Sequence, residues 1–304
     1  MTSPRERAAV VALAAANLVP WYEVADLVSD VGSALAIVEG RITGVDRADR
    51  ELAARLTEAI SIDDVDRLRT ELGALLDADD DVTLHTVLDD TYPASLRDIY
   101  NRPPFLFMRG ALVPDDDAAV AVVGTRNASP DGRAQARELA TALATRGVTV
   151  VSGLAAGIDT EAHTAALDAG GRTVAVMGTG ITRVYPTANR ELAQRVAANG
   201  ALLSQFMPDS PPRGQNFPLR NVVTSGMAVG TAVIEASNTS GARMQARLAL
   251  EHGKRLFLVE SLVLHEDWAQ KYAQRPGCIV VRDVQQILDI LERRPERAEQ
   301  LKLV

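Results

Sequence analysis

The run Ala118-Ala119-Val120-Ala121-Val122-Val123-Gly124-Thr125-Arg126-Asn127-Ala128-Ser129 decides the fold. Its first half is an unbroken series of small and β-branched residues, which suits a short strand buried on both faces. Gly124 then permits a tight turn and a close backbone approach, and residues 131–146 continue with apolar side chains at helical spacing. Strand, glycine turn and helix in that order open a βαβ unit. The pattern recurs toward the C-terminus and predicts strands at 118–123, 148–151, 173–177, 201–203, 231–235, 255–259 and 278–281. Helices are predicted between and after them at 131–146, 160–169, 188–199, 241–252, 266–274 and 283–291. Such alternation implies an α/β core at 118–304, an extended Rossmann-like, mostly parallel, doubly wound sheet with helices on both faces.

Upstream the character changes. Residues 1–80 are rich in alanine and leucine, with Val10, Val11 and Leu13 and then Val24, Leu27, Val28 and Val31 at helical spacing. They predict a small all-helical domain, punctuated at Pro20, Gly32-Ser33 and Gly40. Residues 81–117, with Tyr92-Pro93 and Pro103-Pro104, read as an extended connector packed along the edge of the core. The chain is charged from about Glu292 and is expected to fray there.

Composition limits the function classes. The chain has 304 residues, 47% of them apolar and 24% charged, the profile of a soluble globular protein of two domains. Apolar runs such as 8–16 and 174–177 are too short to cross a bilayer, and residues 1–7 lack the order of a secretory signal. A cytoplasmic location is expected, with no membrane partner. Cys278 is the single cysteine; it excludes an intramolecular disulfide and a cysteine metal cluster, and reads as a small buried apolar side chain. A formal net charge of −8 argues against coating nucleic acid through bulk charge, so any binding of DNA needs a local site. The acidic runs Asp63, Asp64 and Asp66, Asp77 with Asp79, Asp80 and Asp81, and Asp115, Asp116 and Asp117 read as solvated linkers, because no ligand spacing accompanies them.

Ligands of open parallel sheets bind outside the carboxyl ends of the strands, and five junctions there are rich in small or polar residues. In the first, Gly124, Thr125 and Arg126 precede a helix whose free amides would attract an anion; Arg126 is either a bidentate phosphate ligand or a capping surface cation. In the second, Ser152, Gly153 and Gly157 expose amides, and Asp159 is either a ligand group or the N-cap of the next helix. His163, one turn on, reads as a packed histidine. In the third, Gly178-Thr179-Gly180 leads to Tyr185, which either stacks on a base or packs on Pro186. The fourth is the long polar loop 205–221. There Phe217 beside Arg220 and Asn221 suits a single-stranded site, a ring for a base and a guanidinium or amide for its phosphate; the competing reading has Phe217 plugging the core. In the fifth, Glu235 is followed by Ser240 and Gly241, where Ser240 is a candidate N-cap that aims amides into the same crevice. No phosphate loop, zinc-protease motif or nucleophile elbow is present. Glu235, Asp159 and His163 are the only acid and base candidates, and each has a structural role open to it. A binding module with no cofactor and no catalytic residue is therefore the economical reading.

Several pieces have a wording in common with one family: Tyr92-Pro93 with Leu96, Pro103-Pro104 and Gly110; Val122-Val123-Gly124-Thr125-Arg126; Val151-Ser152-Gly153-Leu154-Ala155 through Gly157-Ile158-Asp159 and Ala162-His163; Tyr185-Pro186; Phe217-Pro218-Leu219-Arg220-Asn221; and Glu235-Ala236 with Ser240-Gly241. Across 92–259 the chain resembles the bacterial DNA-processing protein A (DprA/Smf) family. The resemblance implies an extended Rossmann-like domain that binds single-stranded DNA, as a homodimer, and in transformable bacteria hands the strand to the RecA recombinase. On that model Arg126, Phe217, Arg220 and Asn221 touch the strand. The chain departs from the family wording at Ala156, where arginine is usual, at Gln205, where glutamate is usual, and at Val222, which replaces the second arginine of R-N-R. Ala242-Arg243-Met244-Gln245 and Glu260-Ser261 also differ, and no C-terminal winged-helix domain is expected. The missing cations predict weaker binding than the family norm. Two rival readings are a nucleotide sensor or nucleotide hydrolase of the same superfamily, acting through Glu235, and a scaffold whose crevice is filled.

Overall fold

A computed structural model describes residues 2–292; the expected fraying beyond Glu292 and the tail of the 118–304 core lie outside them. Chain order begins with five helices. Ser3 accepts the Glu6 amide and Pro4 takes the first position of α1 (Pro4–Ala15), a pre-organised start. All side chains from 8 to 14 are buried, so α1 is apolar all round and becomes an axle. Packed about it are α2 (Trp21–Val31), α3 (Ala34–Val38) and α5 (Ile62–Asp77), with α4 (Arg47–Ala59) resting on α3. Gly32, at φ 75°, ends α2 in the left-handed region and Ser33 caps α3, which is the punctuation expected there.

The stretch expected to be a connector contributes two strands, β1 (Val82–Thr86) and β2 (Phe105–Gly110), separated by the short α6 (Ala94–Arg97). Pro103 and Pro104 precede β2, where no ladder donor is needed, and Phe105, Leu106, Phe107 and Met108 are all buried. The core follows as β3 (Val120–Val123), α7 (Pro130–Thr145), β4 (Val150–Ser152), α8 (Ile158–Asp168), β5 (Thr173–Val176), α9 (Arg190–Asn199), β6 (Ala201–Ser204), α10 (Asn216–Gly226), β7 (Gly230–Val233) and α11 (Gly241–Glu251). After β8 (Arg255–Val259) come α12 (Glu260–His265), α13 (Asp267–Ala273), β9 (Cys278–Val281) and α14 (Val284–Glu292). The helix expected at 266–274 is α13, preceded by the short α12 that was not expected, and the strand expected at 118–123 begins at Val120, because Pro114–Ala118 coils into a 3₁₀ turn.

One sheet runs in the order β1-β2-β6-β5-β4-β3-β7-β8-β9. Only β1 with β2 and β2 with β6 are antiparallel, so the core is the expected mostly parallel, doubly wound α/β sheet. Its two faces follow from the alternation within β3. Val120 and Val122 pack toward α7, α8 and α14, while Val123 joins Val233, Leu256 and Leu258 under α11 and α13. A third apolar cluster runs from α1 through Tyr92, Phe105 and Phe107 to Val174 and Leu203, so the N-terminal helices share a core with the sheet edge.

Asp63, Asp77, Asp80, Asp81, Asp115 and Asp117 of the acidic runs are exposed as expected, but the other members are tied into the fold. Asp64 closes a capping box with Ser61 at the start of α5, Asp66 pairs with Arg5, and Asp79 pairs with Arg109. Asp116 is 2% exposed and accepts hydrogen bonds from Val113 N, Thr149 Oγ1 and both Nε and Nη2 of Arg172, each at 2.8 Å. Arg172 also donates to the carbonyls of Ala111 and Asn199. This knot joins the entries of β3, β4 and β5 at the amino end of the sheet. Removing one partner of a buried pair leaves the other unsatisfied. Asp116→Ala is therefore expected to cost about 3–5 kcal/mol, read as a lower urea midpoint with an unchanged m-value.

Candidate functional site

The carboxyl ends of β3, β4 and β7 meet α10 and α11 around a crevice of about 340 Å³. β3 delivers Gly124, Thr125 and Arg126 to it; the turn after β4 delivers Gly153 and Asp159. Phe217, Arg220 and Asn221 come from α10, and Ser240 and Gly241 from the start of α11. The residues expected in a polar loop at 216–221 are therefore helical. Pro218 is tolerated because it lies in the first turn, where its missing N–H has no intrahelical acceptor. Winding puts Phe217, Arg220, Asn221 and Thr224 on one face of α10, toward the crevice.

Arg126 is exposed, and its guanidinium carbon stands 4.7 Å from the centroid of the Phe217 ring. Among the described residues no carboxylate forms an ion pair with it. Phe217 is half-buried, neither a core plug nor a free ring. Tyr185, 44% exposed, lies 6.0 Å from the Phe217 ring at a tilt of 45°. Arg126, Phe217 and Tyr185 form a continuous cationic and aromatic surface along the rim.

Arg220 is placed differently. It is 6% exposed, and Nη1 donates to the carbonyls of Gly153 and Val176, the latter at 2.8 Å, while Nε donates to Asn221 Oδ1 at 3.1 Å. A Cβ on Gly153 would collide with this guanidinium, so glycine is required there. Burial pulls the Arg220 pKa down; the charge of Asp159 opposes this and that of Arg126 adds to it. Asp159 is not the N-cap of α8, a position held by Gly157. Its Oδ2 accepts from Gly153 N at 3.1 Å and Ala155 N at 3.4 Å, folding the loop back on itself. Burial raises its pKa against the pull of Arg220 and of these hydrogen bonds. Ser152 Oγ donates to Val122 O at 2.7 Å and holds β4 to β3 behind the crevice. His163 Nδ1 meets Thr173 Oγ1 at 2.7 Å inside the core; burial, helped by Arg220, pushes its pKa down to about 3. It stays neutral, a packed histidine as expected.

The amides expected to draw an anion at the first junction are already engaged. Glu235 Oε2 accepts from Ser129 N at 3.0 Å and Ser129 Oγ at 2.9 Å, and Ser129 Oγ in turn accepts from Gly132 N at 3.0 Å. A carboxylate at a helix N-terminus satisfies its orphan donors and its dipole. Thr125 N donates to Glu235 O at 2.6 Å. Gly157 has φ 81°, and a Cβ on it would collide with the Thr125 and Arg126 carbonyls, so the first two junctions interlock through a glycine. Ser240 is the N-cap of α11, accepting from Ala242 N at 3.2 Å, and this is the helix start that faces the crevice.

Sequence reasoning passed over Arg183 and Arg190. Both are exposed and, with Tyr185, line a second cavity of about 670 Å³ beside the first. The available signal was position: Arg183 lies in the junction that follows β5, two residues before Tyr185. Ala156 is exposed at the tip of the β4–α8 turn, so the family's usual arginine is missing from the rim. Among the described residues no group of three or more His, Cys, Asp or Glu side chains is placed to hold a metal.

The chain resembles known proteins in sequence and fold. The chain is 40% identical over 173 residues to Protein Smf of Synechocystis, covering 56% of this chain and 44% of that one. It is 38% identical over 179 residues to DNA processing protein DprA of Streptococcus pneumoniae, covering 59% and 63%. These matches span about half to two thirds of the relatives' own lengths. The X-ray structure of the S. pneumoniae protein superposes with a TM-score of 0.72 at 29% identity, covering 93% of this chain and 97% of that one. DNA processing protein A of Helicobacter pylori, whose structure addresses its unique single-stranded DNA binding mode, gives a TM-score of 0.62 at 25% identity, covering 69% and 95%. The model of the DNA recombination-mediator protein A family matches residues 83–292, and the chain belongs to that family.

Proposed function

We propose that the crevice binds single-stranded DNA without sequence preference, as a binding module that performs no chemistry. The observation that carries this reading is the exposed Arg126 guanidinium stacked 4.7 Å from the half-buried Phe217 ring, with no acid neutralising it among the described residues. A ring offers a face to any base and a guanidinium a charge to any phosphate, which is sequence-tolerant recognition. The likeness to the H. pylori protein supports the same ligand. The strand leaves the Arg126–Phe217 pair over Tyr185 and reaches Arg183 and Arg190. Glu235 supports a binding role over hydrolysis, because its carboxylate caps α7 through Ser129. The open crevice of about 340 Å³ speaks against a filled scaffold.

The family resemblance extends the proposal to a homodimer that passes the strand to RecA during DNA uptake and recombination in the cytoplasm. Among the described residues no helix is long and apolar enough to cross a membrane. Light scattering of the pure protein, and strand-exchange assays with RecA present, test these steps.

The two arginines of the crevice are expected to separate. Arg126→Ala leaves the thermal midpoint unchanged, weakens binding of a thymidine 20-mer about tenfold, and lowers the salt slope of log K by about 0.7, the loss of one phosphate contact. Phe217→Ala weakens binding by about 1–3 kcal/mol, the usual worth of a base stacked on a ring. Arg220→Ala lowers the thermal midpoint and binding together, because its charge holds the crevice from within. Fluorescence anisotropy across a salt series reads all three; unchanged binding in Arg126→Ala and Phe217→Ala would remove this site.

Arg183→Ala and Arg190→Ala are expected to weaken the 20-mer several-fold and a thymidine 4-mer hardly at all. A short strand fills the Arg126–Phe217 pair without reaching the second cavity. Equal losses for both lengths would contradict the proposed path.

A further inference from the structure

A third cavity, of about 680 Å³, lies between the helical N-terminus and the sheet. Trp21, Tyr22, Tyr100, Phe105 and Phe206 line it, five aromatic rings in a chain only 4% aromatic. Trp21 is fixed by its indole N–H, which donates to Ala14 O at 3.1 Å, and by tilted contacts with Phe105 at 5.5 Å and Phe206 at 6.2 Å. Apolar surface continues outward. Tyr22, Tyr100 and Leu219 of the lining are 37%, 56% and 45% exposed, and Leu18, 40% exposed, stands between the lining residues Asn17 and Val19. Half of the eight large apolar side chains exposed among the described residues are thus gathered at one opening. Scattered singly they need no explanation, whereas a gathered patch marks a contact surface.

The polar groups of the lining select what makes that contact. Arg213 is its one charged residue, although Asp and Glu outnumber Lys and Arg 40 to 32 in the chain. It is exposed, and among the described residues its guanidinium has no hydrogen bond or ion pair. A lone cation beside apolar walls, with no carboxylate in the lining, suits a ligand that carries an acid next to an apolar group. It suits a nucleic-acid strand poorly, because such a strand is held by a cation at each of several phosphates. Asn17, Asn101 and Gln215 complete the lining with side-chain amides. An amide supplies donor and acceptor together, which matches the two groups of a peptide backbone.

We infer that this cavity is the docking site for an acidic segment of a partner protein, with one aromatic or leucine side chain seated among the rings and a neighbouring carboxylate paired with Arg213. Tryptophan, tyrosine and arginine gathered at a pocket are the residue types that carry most of the energy of protein interfaces. The site lies across α10 from the crevice: Leu219 and Val222 line the cavity, and Phe217, Arg220 and Asn221 line the crevice. Partner and strand therefore occupy separate places.

Fluorescence anisotropy of the full chain with a labelled peptide, Gly-Ser-Asp-Asp-Phe-Asp-Leu-Gly, tests it. Two control peptides separate the contributions: one has asparagine for each aspartate, the other alanine for phenylalanine and leucine. Saturable binding of the acidic peptide is expected, with each control at least about tenfold weaker, the usual worth of a charged hydrogen bond or of one buried apolar side chain. Arg213→Ala lowers affinity for the acidic peptide about tenfold and removes its advantage over the asparagine peptide. Leu219→Glu, at an exposed position, sets a like charge at the mouth and lowers affinity with the thermal midpoint unchanged. Arg126→Ala binds the peptide, and Arg213→Ala the thymidine 20-mer, as the native chain does. No saturable binding, or equal affinity for the alanine peptide, would overturn the inference. So would a loss in Arg126→Ala with retention in Arg213→Ala, which assigns the acid to the crevice. A dimer that Leu219→Glu dissociates, with no peptide bound, assigns the face to a second copy of this chain and overturns it as well.

Discussion

The crevice depends on the burial of one guanidinium. A cation removed from water costs several kcal/mol unless its donors and charge are met, and Arg220 meets that demand with the Gly153 and Val176 carbonyls and the charge of Asp159. Each partner fixes something else. The carbonyls lock the start of α10 against the ends of β4 and β5, and the lack of a Cβ at Gly153 makes the approach possible. Asp159, through the Gly153 and Ala155 amides, shapes the turn before α8. With α10 held there, Phe217, one turn earlier on the same helix face, is presented at the rim beneath Arg126.

The same economy explains how a chain of net charge −8 keeps a cationic edge. Backbone donors at two strand ends are satisfied internally, by Glu235 at α7 and by Asp159 in the β4–α8 turn. Those carboxylates do the work that a bound anion does at many Rossmann-like sheets. Attraction for phosphate is left to side chains at the rim, namely Arg126 and, past Tyr185, Arg183 and Arg190. Side-chain cations on an open rim track a flexible backbone, whereas a preformed amide cradle fixes one phosphate. The arrangement fits a strand better than a mononucleotide.

Much of this was legible in the sequence because its signals are local. Alternating β-branched runs and helical spacing placed every core strand, and glycine followed by polar residues marked the crevice. What was not legible depended on partners distant in the chain. Nothing near Asp116 announces Arg172, fifty-six positions away, so an acidic run that binds the sheet together read as solvated. Phe105 to Gly110 is strand only because β6 offers an edge, and its prolines mask this. Asp159 and Arg220 line the crevice, but their burial, which sets what they can do there, follows from packing that no local signal reveals. The end of the polar loop expected at 205–221 is helical from Asn216, with Pro218 accommodated in the first turn.

The helix α10 turns these separate features into one system. Its periodicity gives one face to the crevice and the next to the aromatic cavity beneath the N-terminal helices, and Arg220 ties it to the ends of β4 and β5. A rigid element with a cavity on each side cannot shift toward one without moving away from the other. Coupling between two sites requires a shared element with a differential response to each ligand, and α10 is the only element of the described residues that lines both the crevice and the interdomain cavity. Through α1 and Trp21 the N-terminal helices form the far wall of the cavity against which α10 is set.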